Sequence, residues 1–348
     1  MTIPFALTLM RLTSRVARHT ALCAAFCVAA STIALSAQAQ TQTPTPATYP
    51  ERPVRLVVGL QAGASTDTLA RVIAQKLQER MGGTFIVDNK PGAATRIGME
   101  MVAKAAPDGY TLGVANAVST SFPLMFADFG FVPGKDFVPV TMLGRAPSFL
   151  AVRANLPAKN AQEFVAYAKA NSGKLSFGQG GNGSNPHLAA LMLVRSIGAE
   201  AIAVAYKGNA PTAVAVAAGE VDFAILDYQS VRPLVERGNI RLLAVTEPRR
   251  SALTPEVPTS SEQGLTREIE GVTPWFMLVA PAGTPAPMVA LLNRHLVDVL
   301  KNPEVRNTLR AAGIDAESSS SAQALAQFEQ QRAQIERLAR DLNLSFKN

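Results

Sequence analysis

Cysteine is nearly missing from this chain of 348 residues. The two that occur, Cys23 and Cys27, both fall within the first 39 residues. Tryptophan occurs once, histidine three times, and aromatic residues make up 6%. No Gly-x-Ser-x-Gly elbow is present, and no Cys/His cluster has metal-ligand spacing. Downstream of residue 39 the chain therefore has no disulfide, no thiolate nucleophile and no cysteine ligand for zinc. The two downstream histidines, His187 and His295, are far apart and lack an evident nucleophile partner. His187 reads as a residue that caps or packs near a helix start. His295 reads as a mid-helix residue, at the surface or partly buried. Lys and Arg outnumber Asp and Glu by 33 to 26, yet no basic run is interleaved with aromatics. A nucleic-acid partner has no support in that pattern.

Long apolar runs are also scarce, with one exception at the N-terminus. Residues 1–20 carry Arg11, Arg15 and Arg18 and no acid, Ala21 to Leu35 is almost wholly apolar or small, and Ala37-Gln38-Ala39 follows. A basic start, a short apolar middle and a small-x-small end describe a secretory signal peptide, expected to be cleaved after Ala39. The apolar stretch is shorter than the roughly 20 residues a spanning helix needs. Cleavage takes both cysteines and three arginines away, so the formal charge falls from +7 to +4. An exported chain without cysteine suits a bacterial periplasm. Residues 40–49 are a Thr/Pro-rich linker.

What is abundant is core-forming material: 48% hydrophobic residues against 17% charged. Strand and helix patterns alternate at short spacing. Val54–Val58 is an apolar run, followed by a helical pattern from Thr66 to Met81 and a strand at Thr84–Val87. Strands are expected at Tyr110–Val114, Phe149–Val152, Lys174–Phe177, Ala201–Ala205, Val221–Leu226, Ile240–Thr246 and Trp275–Ala280. Helices are expected at Glu163–Ala170, His187–Ile197, Pro211–Ala218 (with Pro at its first position), Pro285–Leu300 and Ala322–Leu342. Such alternation implies parallel sheets with helices on both faces. Trp275 reads as core or hinge packing.

Two loops stand out. Gly178-Gln179-Gly180-Gly181-Asn182-Gly183 follows a strand, precedes a helix and has the spacing of a dinucleotide fingerprint. No acid/base set accompanies it. Its physical content survives without a nucleotide: glycines let backbone N–H groups approach a ligand, and the next helix presents unpaired N–H groups. A carboxylate suits that site as well as a phosphate. Gln61-Ala62-Gly63-Ala64-Ser65-Thr66-Asp67 repeats the logic between the first strand and its helix. Ser65 or Thr66 can cap that helix or donate to a ligand, and Asp67 complements its dipole. The blander reading of this stretch is a capped helix alone.

Ordered motifs then carry a resemblance. They are Pro53-Val54-Arg55-Leu56-Val57-Val58, Ala62-Gly63 through Thr66-Asp67-Thr68-Leu69-Ala70-Arg71, and Asn89-Lys90-Pro91-Gly92-Ala93 with Ile97-Gly98. Ala105 to Leu112, Lys135 to Val140, Gly181 to Ser184 with His187-Leu188-Ala189, Tyr206-Lys207-Gly208 and Ala280 to Pro285 follow. Together the chain resembles the Bug/TctC family, the periplasmic solute-binding receptors of tripartite tricarboxylate transporters. The resemblance implies an α/β chain with a type II periplasmic-binding-protein fold: two α/β domains around a cleft, joined by crossover strands near Pro147–Val152 and Thr273–Val279. Domain 1 would be discontinuous, 50–147 plus 275–348, and domain 2 would be 148–274.

The resemblance also implies a receptor rather than an enzyme, with no cofactor and no metal. It would act as a monomer that hands a small organic carboxylate to integral-membrane transporter subunits. The expected ligand contacts are Gln61, Ala62, Gly63, Ala64, Ser65, Thr66, Asn116, Gly181, Asn182, Gly183, Ser184, His187, Tyr206 and Asp227. Arg96 and Arg145 depart from the family pattern; each is either a partner for a distal carboxylate or a solvated arginine. The alternatives are a ligand sensor for a signalling partner and an exported dinucleotide-dependent oxidoreductase.

Overall fold

A computed structural model describes residues 49–126, 135–270 and 272–343. The signal segment and nearly all of the linker lie outside these residues. In chain order the strands and helices begin with β1 (Val54–Val58), α1 (Ser65–Met81), β2 (Phe85–Asn89), α2 (Arg96–Ala103) and β3 (Thr111–Asn116). A short turn of helix precedes β4 (Phe137–Arg145) and β5 (Ser148–Arg153). Next come α3 (Ala161–Ala170), β6 (Leu175–Gln179), α4 (Asn185–Ser196), β7 (Ala201–Ala205) and α5 (Asn209–Ala218). They are followed by β8 (Phe223–Asp227), α6 (Tyr228–Glu236), β9 (Ile240–Val245) and β10 (Trp275–Pro281). The chain ends through α7 (Ala286–Lys301), α8 (Pro303–Ala311), β11 (Asp315–Ala316) and α9 (Ser321–Leu342).

The strands form two sheets, one ordered β11-β4-β10-β3-β1-β2 and the other β7-β6-β8-β5-β9. The expectation of parallel sheets holds in part, because both sheets are mixed. β1 runs parallel to β2 and β3, and β6 runs parallel to β7 and β8. β10 is antiparallel to β3 and β4, and β5 is antiparallel to β8 and β9. The reason lies in how a strand is entered. A crossover helix returns the chain to the far end of the sheet, which makes successive strands parallel. β5 and β10 are entered directly from the other lobe, at the end of the sheet beside the cleft, so they run the opposite way.

Each lobe has its own core. In the first, Leu69, Ile73 and Leu77 of α1 bury against Leu56, Leu112 and Leu278 of the sheet. Gly82 ends the helix with φ 73°, a backbone angle that glycine adopts freely. In the second lobe Phe164, Phe177 and Phe223 interlock, with ring centroids 5.0 and 5.6 Å apart. Helix α9 belongs to both lobes. Phe328 near its middle meets Trp275 at 6.1 Å, whereas Ile335 and Leu338 join the core of the second lobe. Helix α6 escaped the sequence reading because Pro233 interrupts its pattern. Helix α5 starts at Asn209, which puts Pro211 third rather than first. That site still tolerates proline, since the first-turn N–H groups have no helical acceptor.

An ionic cluster ties the crossing segments together. Arg145, the last residue of β4, donates to Glu317 and to Gln327, the latter at 2.9 Å, and lies 3.7 Å from Glu247. Thr273 donates to Glu247 at 2.5 Å, and Arg249 reaches Glu317 at 3.2 Å. Burial pushes the Glu247 carboxyl up, against the pull of Arg145 and Thr273. Replacing Arg145 with Met leaves two carboxylates without their buried cation. The expected loss is about 3–5 kcal/mol in urea unfolding. The exposed Arg52–Asp108 pair, at 2.7 Å, is the control, and Arg52→Met is expected to cost less than about 1 kcal/mol. Equal losses would mean that the cluster adds nothing beyond surface pairing.

Candidate functional site

The C-terminal ends of β1, β3, β6 and β8 release the chain into loops, and three of the helices that follow begin at one cavity. It measures about 410 Å³. Leu60, Ala64, Ser65 and Thr66 line it from the β1–α1 loop, and Asn116, Ala117 and Val118 from the end of β3. The second lobe contributes Ser184, Asn185 and Pro186 at the start of α4, Asn209 at the start of α5, and Asp227 with Gln229 after β8. Ala146, Pro274, Phe276, Ala312 and Gly313 complete the wall. None of these residues is Lys, Arg or His.

Of the expected contacts, Ala64, Ser65, Thr66, Asn116, Ser184 and Asp227 line the cavity. Gln61, Ala62, Gly63, Gly181, Asn182, Gly183, His187 and Tyr206 do not. Several of these support the loops instead. The Gly63 N–H donates to the Asp67 carboxylate at 2.9 Å. Asp67 also accepts from Arg71 at 2.9 Å and from Asn89 at 3.0 Å. Burial works against its charge, but these donors outweigh burial and hold its carboxyl below the usual range. Ala64 is the N-cap of α1 and makes no side-chain cap, so neither Ser65 nor Thr66 caps the helix. Their N–H groups sit in the first turn, where the helix supplies no acceptor.

The glycine run is organised in the same way. Gln179 accepts from the Gly181 N–H at 2.7 Å and donates to Asn182 at 2.7 Å. Gly183, with φ 73°, donates its N–H to His187 Nδ1 at 3.1 Å. Ser184 caps α4 by accepting from the His187 N–H. His187 is thus the helix-start residue its position suggested. Tyr206 donates to Glu220 at 3.3 Å, away from the cavity. Asp227 caps α6 by accepting from the Ser230 N–H at 3.1 Å. Arg145 belongs to the crossover cluster, and Arg96 lies over the Phe126 ring at 5.1 Å, so neither lines the cavity.

Sequence reasoning missed Asn185, Asn209 and Gln229. Asn185 is 2% exposed, and its Nδ2 is buried without an acceptor. It adjoins Ser184, so extending the second loop by one residue would have found it. Asn209 opens a helix directly after Gly208, a third use of the strand–glycine–helix pattern. Ala312 and Gly313 carry no sequence signal; they reach the cavity through the packing of α8.

Two α/β lobes, a chain that crosses between them and a cavity between the sheets define a solute receptor with the type II periplasmic-binding-protein fold. Residues 69–344 match the family model described as "Tripartite tricarboxylate transporter family receptor", and the chain belongs to that TctC family. It is 34% identical to protein BugT of Bordetella pertussis over 271 residues, 76% of this chain and 82% of that protein. Among solved structures it is similar to an R. palustris protein with adipate, at 32% identity and TM-score 0.70, over 86% of this chain and 100% of that one. It is also similar to MatC from Rhodopseudomonas palustris with bound malate, at 29% identity and TM-score 0.66, over 83% and 99% of the two chains. Family and fold make the protein a periplasmic receptor that serves a membrane transporter. The family is one of solute-binding receptors, not of enzymes.

Burial lowers the His187 pKa from 6.5 to about 4. The ring must be neutral to accept the Gly183 N–H. Stability drawn from the neutral ring is therefore complete above pH 6.5 and is lost as pH falls through about 4. His187→Gln keeps an acceptor that does not titrate. The stability difference between wild type and His187→Gln is expected to shift against wild type between those two pH values. A difference that stays flat with pH would refute the assignment.

Proposed function

We propose that the protein captures a small organic carboxylate in the periplasm and delivers it to its transporter. The observation that carries this reading is the first turn of α1 at the cavity, where the N-cap Ala64 makes no side-chain cap and the N–H groups of Ser65 and Thr66 have no helical acceptor. Helix N-termini favour negative charge, and a buried donor without an acceptor is costly until one arrives. A carboxylate supplies both charge and acceptors. The acids named with the two R. palustris relatives support the same class of ligand.

The export signal in this reading is residues 1–39, cleaved after Ala39. The moving bodies are 50–147 with 275–348, and 148–274, with α9 bracing both. Closure of one on the other excludes water from the cavity and strengthens each hydrogen bond to the ligand. Gly178 and Gly180 of the glycine run have a packing role that supports this reading over a nucleotide site. A Cβ at Gly178 would stand 2.5 Å from Thr212 Cγ2, and one at Gly180 2.4 Å from Asn209 Oδ1. These glycines admit α5 to the loop.

A thermal-shift screen of mono-, di- and tricarboxylates finds the ligand, because binding to the folded state alone raises its stability. Ser65→Pro then tests the amide donors. Position 65 is the first of α1, where proline is accommodated, and Ala64 is already extended at φ −69°, ψ 158°. The variant deletes one N–H from the cavity and keeps the helix. Carboxylate affinity is expected to fall about tenfold or more, as for a lost hydrogen bond to a charged group. Ser65→Ala, which removes only the hydroxyl, is expected to lose less. Equal affinities for Ser65→Pro and wild type by calorimetry, with unchanged circular dichroism, would sink the backbone-donor reading.

A further inference from the structure

The cavity has two chemically unlike poles. One pole, on the first lobe, donates through the N–H groups of the α1 first turn. The other pole accepts. Asp227 sits there as a carboxylate whose partners are the Ser230 N–H at 3.1 Å, the Ser230 hydroxyl at 2.9 Å and the Asn209 amide at 2.6 Å. These are neutral donors; none neutralises its charge. A carboxylate has about four acceptor positions, so Asp227 retains capacity. Asn209 already spends an N–H on Asp227, and Gln229 spends one on the Ala311 carbonyl at 2.8 Å. Each of these amides keeps one further N–H and its oxygen, so the acceptor character of this pole comes from Asp227. The residues lining the cavity include no cation.

We infer that the site selects a carboxylate whose far end donates hydrogen bonds, an amino or amido carboxylic acid, over the dicarboxylate of the same length. The inference rests on the carboxylate reading above and adds the chemistry of the second end. A second carboxylate at the Asp227 pole would lose water, find no cation among the lining residues and face a like charge, an arrangement that interfaces avoid. An ammonium or a primary amide there meets acceptors and, with the ammonium, an opposite charge. Asp227 is accordingly the residue that sets specificity for the distal group, while the donor pole holds the shared carboxylate.

The experiment is isothermal calorimetry of the mature protein with length-matched acids. The sets are succinate, 4-aminobutanoate and succinamate; glutarate, 5-aminopentanoate and glutaramate; and adipate, 6-aminohexanoate and adipamate. In the best-fitting set, the amino or amido acid is expected to bind at least about tenfold tighter than the dicarboxylate. Asp227→Asn removes the charge while keeping a side chain that caps helices well. It is expected to erase most of that preference by improving dicarboxylate binding. A dicarboxylate that binds as tightly as its matched amino and amido acids in wild type overturns the inference and leaves the carboxylate reading intact. A preference unchanged in Asp227→Asn overturns the role of Asp227. No binding by any of the nine acids overturns the carboxylate reading itself, and this inference with it. Because the wild-type ordering decides the selectivity, a variant that failed to fold would not remove the test.

Discussion

The cavity depends on one constraint of chain direction. The strands that precede its loops, β1, β3, β6 and β8, point their C-terminal ends at the gap between the sheets. A strand that ends there releases the chain into a helix that begins there, and a helix beginning exposes N–H groups rather than carbonyls. The crossing strands obey the same geometry in reverse, entering at the gap and running away from it. Ligand sites in open α/β sheets fall at strand carboxyl ends for this reason. Here two sheets apply the rule to one volume, which gives a cavity rich in neutral donors without any charged side chain to supply them.

Apart from Asp227, the charges have gone elsewhere. Arg145, Arg249, Glu247 and Glu317 gather where the chain passes between lobes, and Asp67 is consumed in holding Gly63, Arg71 and Asn89. Pairing a buried charge with another protein group fixes geometry at some cost in desolvation. Placed at the crossover, that geometry sets how β4, the return from β9 and the lead into α9 meet. Placed in the cavity, the same arginine would bind anions strongly and also hold them strongly. A receptor that must release its ligand to a membrane partner is better served by backbone dipoles than by a buried cation.

Much of this was legible in the sequence. The α1 boundaries came within one residue because Leu69, Ile73 and Leu77 repeat at helical spacing and glycines stop the pattern. The Ala201–Ala205 strand was read as it stands. Strand direction was not legible, because hydrophobic pattern carries no sign and the direct entry of β5 and β10 is a tertiary fact. The β1–α1 and β6–α4 loops were found by their small residues, yet the residues inside them were sorted only by the fold. Gly63 and Gly183 looked like free donors, and each proved committed, to Asp67 and to His187. A glycine signals that the backbone is close to something; it does not say whether that neighbour is a ligand or the protein.

The dinucleotide-like spacing makes the point sharper. Gly178 and Gly180 are required because α5 lies against β6 and its loop, with Thr212 and Asn209 occupying the space that a Cβ would need. A Rossmann site uses its glycines for two demands, close helix packing and close approach to pyrophosphate. Only the first is met here by residues that can be named. That packing has a consequence at the same end of α5, where Asn209 donates to Asp227 at 2.6 Å and so fixes the carboxylate at the cavity. The spacing that imitates a phosphate loop thus serves to hold an amide beside a carboxylate. It shapes the site by what it lets the protein bring near, not by what it leaves open.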